Sequence, residues 1–108
     1  MNKEWAEIVK EKLDSFVQRE TEIETTLNEL ITDLESKKIF MRYGIKDEES
    51  LVWEIKINNQ RFFISEDEVS KKQIIEGIDD HGITIDTGQR ISVKEALQNL
   101  IIEKLKSF

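Results

Sequence analysis

The sequence predicts an α+β fold: an antiparallel sheet of four to five strands, with a long N-terminal helix, a short middle helix and a C-terminal helix. Three observations predict it. From Lys3 to Lys38 there is no glycine or proline, and apolar residues recur at helical spacing. From Ile39 to Ser65 the apolar period drops to two, which marks half-buried strands. After Ser65, short apolar runs and turn residues are punctuated by Ser-x-x-Glu sequences of the kind that open helices. Neighbouring strands joined by short turns make an antiparallel sheet, and amphipathic helices cover one face of it. The element order is α-β-β-β-α-β-β-α in a single domain, residues 1–108.

The first helix is expected over residues 1–38. Trp5, Ile8, Val9, Leu13, Phe16, Val17, Ile23, Leu27, Leu30, Ile31 and Leu34 form one apolar stripe along it. A continuous helix from Lys3 to Lys38 would span about 54 Å. A compact chain of this length has a radius of gyration of roughly 13 Å, so a diameter of roughly 34 Å. Either the helix breaks, or it projects and needs a partner. Thr21-Glu22-Ile23-Glu24 has the form of a capping box, and Thr21, Thr25 and Thr26 are weak helix formers. One continuous helix is the preferred reading, and a kink near residue 20 the alternative. A seam with alternating steps of four and three runs through Phe16, Glu20, Ile23, Leu27, Leu30 and Leu34. It is cleanest beyond Glu20. Ile23, Leu27, Leu30, Ile31 and Leu34 are therefore the candidate protein-contact stripe, with the final helix covering the other half.

In the strand region Ile39, Met41, Tyr43 and Ile45 face one way, with Phe40, Arg42 and Gly44 opposite. Leu51, Trp53, Ile55 and Ile57 alternate with Val52, Glu54 and Lys56. Asn58-Asn59-Gln60 is a turn signal, and Arg61 to Ser65 follows with Phe62 and Ile64 on the apolar face. A turn centred on Asn58-Asn59 pairs Ile55 with Phe62; a four-residue loop pairs Ile57 with Phe62. The sequence leaves both registers open, since both bury the same face. Phe40 and Phe63 fall on the opposite face and join the candidate contact residues.

Ser65-Glu66-Asp67-Glu68 opens a short helix carried through Val69, Ile74, Ile75 and Ile78 and ending near Gly77. Its first-turn acids suit the positive end of the helix dipole. Asp79-Asp80-His81-Gly82 reads as a turn, Ile83-Thr84-Ile85 as a short strand, Asp86-Thr87-Gly88-Gln89 as a tight turn and Arg90-Ile91 as the return strand. Ser92-Val93-Lys94-Glu95 then starts a final helix with Ala96, Leu97, Leu100, Ile101, Leu105 and Phe108 on its apolar face. This order, with an acidic balance, is similar to that of small type III secretion chaperones. The likeness is one of layout and charge, and it implies a dimer.

The chain carries 16 basic and 23 acidic residues, a net charge of −7. Such a chain is repelled by nucleic acid phosphates and anionic membranes, so no direct nucleic-acid or membrane partner is expected. The charge is uneven: residues 1–38 and 65–81 each carry −4, residues 39–64 are neutral, and residues 82–108 carry +1. Glu20, Glu22, Glu24, Glu66, Asp67, Glu68, Asp79 and Asp80 form the candidate acidic surface. Lys94, Lys104 and Lys106 offer pairing to the acidic first helix. With no cysteine, thiol chemistry and Cys-ligated zinc are excluded. No apolar run is long enough to span a membrane, and the N-terminus lacks the pattern of a signal peptide; a cytoplasmic location is expected.

Little chemistry is on offer. His81, the only histidine, sits beside Asp79 and Asp80 before a glycine, which is ordinary turn chemistry. Asp86-Thr87-Gly88 resembles the active-site triplet of aspartic proteases. The surrounding half-helical chain and the Gln89 that follows argue for a turn between strands instead. The four glycines are too scattered to cradle a phosphate. No catalytic residue, cofactor site or metal site is expected. The sequence predicts a small acidic protein-binding module without catalytic activity, such as an adaptor, inhibitor or dedicated chaperone. It is expected to form homodimers through its N-terminal helix. The alternative is an acidic decoy or immunity protein that binds a basic, nucleic-acid-handling partner.

Overall fold

In the computed structural model, which describes residues 4–108, the elements follow the predicted order. They are α1 (Trp5–Glu35), β1 (Met41–Asp47), β2 (Val52–Ile57), β3 (Gln60–Ser65), α2 (Glu66–Gln73), β4 (Ile74–Ile78), β5 (Thr84–Arg90) and α3 (Val93–Lys104). The five strands form two antiparallel sheets rather than one: β1-β2-β3, and a separate β4-β5 hairpin.

The first helix is continuous over 31 residues, about 46 Å long. It does not break at Thr21, and Glu24, the acid that would close that capping box, is turned to the sheet instead. The Glu24 carboxylate accepts a hydrogen bond from the Trp53 indole Nε1 at 3.0 Å, and the Thr26 hydroxyl donates to the Glu22 carbonyl at 2.8 Å. Both side chains thus serve a helix that runs on through them.

The core lies between the inner face of the three-stranded sheet and the helices. Met41, Trp53, Ile55, Ile57 and Ile64 meet Ile23, Leu27 and Leu30 of α1, Val69 of α2, and Val93, Ala96, Leu97, Leu100 and Ile101 of α3. In this layer α1 packs on β1, α2 packs on β3, and α3 contacts both other helices. The β2–β3 register pairs Ile55 with Phe62 and Trp53 with Ile64, which settles the open hairpin question in favour of the two-residue turn. Asn58 takes a left-handed φ of 52° there. Asparagine tolerates that region better than most residues.

Several polar ties fix α3 to the rest, among them an ion pair between Lys72 of α2 and Glu103. Lys94 reaches Asp33 and Glu29 of α1 at 3.3 and 3.7 Å, the predicted pairing of the basic tail with the acidic helix. Lys104 instead reaches Glu68 of α2 at 2.6 Å. Beyond α3 the Gln60 side chain donates to the Lys106 carbonyl at 3.0 Å and accepts from its N–H at 2.8 Å. This clamp turns the chain out of the helix at Leu105, so the predicted continuation to Phe108 does not form.

The middle of the chain needs a larger correction. Its helix ends at Gln73, not near Gly77, and Ile74–Ile78 is a strand. Ser65 and Glu68 complete the reciprocal capping box that starts α2. The β-branched pair Ile74-Ile75 then favours extended backbone, and Ile74 turns to ψ 127°. Residues 84–90 form one strand through the predicted Asp86–Gln89 turn. Gly88 lies at φ 81°, in the stretch where the pairing with β4 loses regular register. The turn at Asp79–Gly82 forms as expected: the Asp79 carboxylate accepts from the N–H groups of His81 and Ile83 at 2.8 and 2.9 Å.

The molecule is elongated. Its radius of gyration is 17.0 Å and its extents are 56 × 43 × 21 Å, against a radius of roughly 13 Å for a compact chain of this length. Two features extend it: the first turns of α1, and the β4-β5 hairpin, all of whose second strand is exposed.

Candidate protein-contact surface

The apolar stripe of α1 divides in two. Ile23 and Leu27 are 0% exposed, and Leu30 is buried beside them. Trp5 is 79% exposed, Leu13 63% and Val17 57%, and Ile8 and Phe16 are also exposed. The predicted contact stripe is therefore displaced. Ile23, Leu27 and Leu30 belong to the core of their own chain, and Ile31 and Leu34 pack against its edge. The uncovered half is the N-terminal one. The physical reason is reach: a six-residue strand is about 20 Å long, which matches some 13 residues of helix. Those residues must be the ones nearest the chain's entry into β1.

The border falls at Arg19 and Glu20. Arg19 Nε donates to the Glu66 carboxylate at 3.2 Å, and Nη2 donates to the Ser70 hydroxyl at 3.2 Å and the Gln73 amide oxygen at 2.6 Å. This network locks α1 to α2 at one point. Just beyond it Phe16 borders a small groove shared with Ser50, Leu51 and Arg19. Continuing the four-three seam backwards from Phe16 gives Leu13 and Val9, with Trp5, Ile8 and Val17 beside it. The seam that fills the core thus runs on along a projecting arm, with Leu13 and Phe16 exposed and Val9 half-buried.

Phe40 and Phe63 are exposed on the outer sheet face, as their strand parity predicts. The acids form a less open surface than expected. Glu22 and Glu66 face Arg19, Asp67 faces Lys71, Glu68 faces Lys104, and Glu24 receives the Trp53 indole. Burial works against ionisation of Glu68, but hydrogen bonds from Lys104 and Ser65 outweigh it, and its pKa is lowered. Asp79 is occupied by its own turn. Among the described residues Glu20 and Asp80 have no such contact.

Asp86 is held by Arg90 through two contacts of 2.9 Å and by the Gly88 N–H at 2.8 Å. These bonds, led by that to Arg90, lower its pKa. Tyr43 lies at the helix–sheet edge, where its hydroxyl donates to Asn28 Oδ1 at 3.1 Å. Burial, and then the Glu24 charge, push its pKa up. Among the described residues no cluster of three or more His, Cys, Asp or Glu is placed to hold a metal ion, and no helix is long and apolar enough to cross a membrane.

The fold and surface define a small α+β protein with one apolar helical arm. No protein-family profile, curated protein or solved structure matches the chain.

Proposed function

We propose that this chain is a non-catalytic protein-binding module that self-associates through the arm formed by the first turns of α1. One observation carries the reading: Trp5, Ile8, Leu13, Phe16 and Val17 are exposed on a helix whose continuing seam is core. A helix segment of this length is marginal in water without a packed face. Single exposed apolar residues need no explanation, but a contiguous set marks a contact site. A second arm supplies the matching surface, because a seam with four-three spacing is self-complementary. The pairing of Glu22, Glu66, Asp67 and Glu68 with cations favours this reading over the acidic decoy, which needs an open negative field.

Sedimentation equilibrium tests it. The wild-type chain is expected to be dimeric at tens of micromolar, and Leu13→Glu monomeric with its core still folded, as read by a cooperative thermal transition. A wild-type monomer throughout that range would remove the self-association.

A further inference from the structure

The outer face of the three-stranded sheet differs from the rest of this acidic molecule. The register places Arg42 opposite Lys56, and Lys56 opposite Arg61. Neighbouring strands are about 4.8 Å apart, so three cations lie in one row of about 10 Å. Like charges directly opposite one another destabilise a sheet, and little compensates them here. Glu54, a carboxylate of the neighbouring row, reaches Arg61 at 3.7 Å. Among the described residues neither Arg42 nor Lys56 has an acidic partner within ion-pair distance.

The next row along the strands is Gly44, Glu54 and Phe63. Gly44 carries no side chain, and a Cβ built there meets nothing within 4 Å. The gap forms an open groove of about 660 Å³ whose walls include Arg42, Glu54, Lys56, Asn59 and Arg61. Phe63 stands exposed in this row, and Phe40 lies before Arg42 on the same side of its strand.

We propose that this face binds a short single-stranded oligonucleotide, with phosphates on Arg42, Lys56 and Arg61 and a base stacked on Phe63. The chemistry matches each part. Arginine and lysine rows track a phosphate backbone, and exposed aromatic rings stack bases with little regard to sequence. Phenylalanine offers an acidic peptide no polar handle, which favours bases over carboxylates as the second element of recognition. The net charge of −7 does not cancel the row. Charges more than a Debye length away, about 8 Å in physiological salt, are largely screened, and on this face the opposing carboxylate is Glu54.

The test is fluorescence anisotropy of a dye-labelled decathymidylate with the full chain. Three phosphate contacts predict a loss of about twentyfold in affinity between about 50 and about 200 mM salt. Arg42→Glu and Lys56→Glu are expected to abolish binding. Gly44→Glu, which fills the groove, is expected to do the same. Phe63→Ala is expected to weaken binding at least about fivefold. All four positions are solvent-facing or partly so, and circular dichroism confirms that each variant is folded. Leu13→Glu on the arm is expected to leave the affinity unchanged, which separates this site from the self-association. No binding by the wild type at about 100 μM in low salt, or binding unchanged in both charge reversals, would overturn the proposal. Displacement of the probe by polyglutamate as readily as by unlabelled oligonucleotide, with no effect of Phe63→Ala, would overturn it in favour of an acidic protein segment.

Discussion

Leu13 and Leu27 lie on one helix and on one seam, yet the same substitution at each is expected to differ sharply in cost and in its dependence on protein concentration. Leu27 is 0% exposed among core residues from the sheet and α3. Truncating a fully buried leucine costs the transfer free energy of its side chain plus that of the cavity left behind, together about 3 kcal/mol. For a domain of this size that lowers the melting temperature by about 12–24 °C. Leu13 is 63% exposed. Leucine and alanine have similar helix propensities, so Leu13→Ala is expected to stay within about 0.5 kcal/mol in a dilute sample. In a concentrated sample it is expected to lower the melting temperature, because binding between folded copies stabilises them by mass action. Urea and thermal unfolding of both variants at low and high protein concentration provide the assay. Equal losses for the two variants in dilute solution would refute the division of α1, since the arm would then be packed on its own chain. A loss below about 1 kcal/mol for Leu27→Ala would refute the core assignment.

Two further outcomes follow from local geometry. A Cβ on Gly77 would meet Thr87 Cγ2 at 2.9 Å, and threonine is stiff at χ1. Gly77→Ala is expected to loosen the β4-β5 hairpin by about 1–2 kcal/mol, and Thr87→Ser to restore it, as read by amide exchange at Ile85. For Glu68 the folded pKa lies below the ordinary value, so its contribution to stability is full above the unfolded pKa and is lost as pH falls through the folded one. The urea midpoint is expected to drop on acidification below about pH 4.5, and Glu68→Gln to flatten that drop.

The inner faces of the three-stranded sheet were legible in the sequence because the period of two marks them without ambiguity. Met41, Trp53, Ile55, Ile57 and Ile64 are all buried where the alternation puts them. The β4 strand was not legible, since Val69, Ile74, Ile75 and Ile78 fit a helical stripe as well as a strand. Only pairing with residues 84–90 decides between the two. The location of the free stripe was within reach of the sequence. Glu20 interrupts the seam, and a sheet of six-residue strands covers only the helix turns adjoining it. The cationic row needed the register itself. In the alternative hairpin, Lys56 would sit opposite Phe63, and the row of Arg42, Lys56 and Arg61 would not exist.

The central claim is that the arm of α1 is a contact surface, and Trp5 reports on it directly. The chain has two tryptophans. Trp53 is fully buried in its own core, and Trp5 lies on the arm. Subtracting the emission spectrum of Trp5→Phe from that of the wild type isolates Trp5. The account predicts blue-shifted Trp5 emission at tens of micromolar and a shift to the red on dilution, as the arms separate. An emission maximum at the solvent-exposed position at every concentration would contradict it.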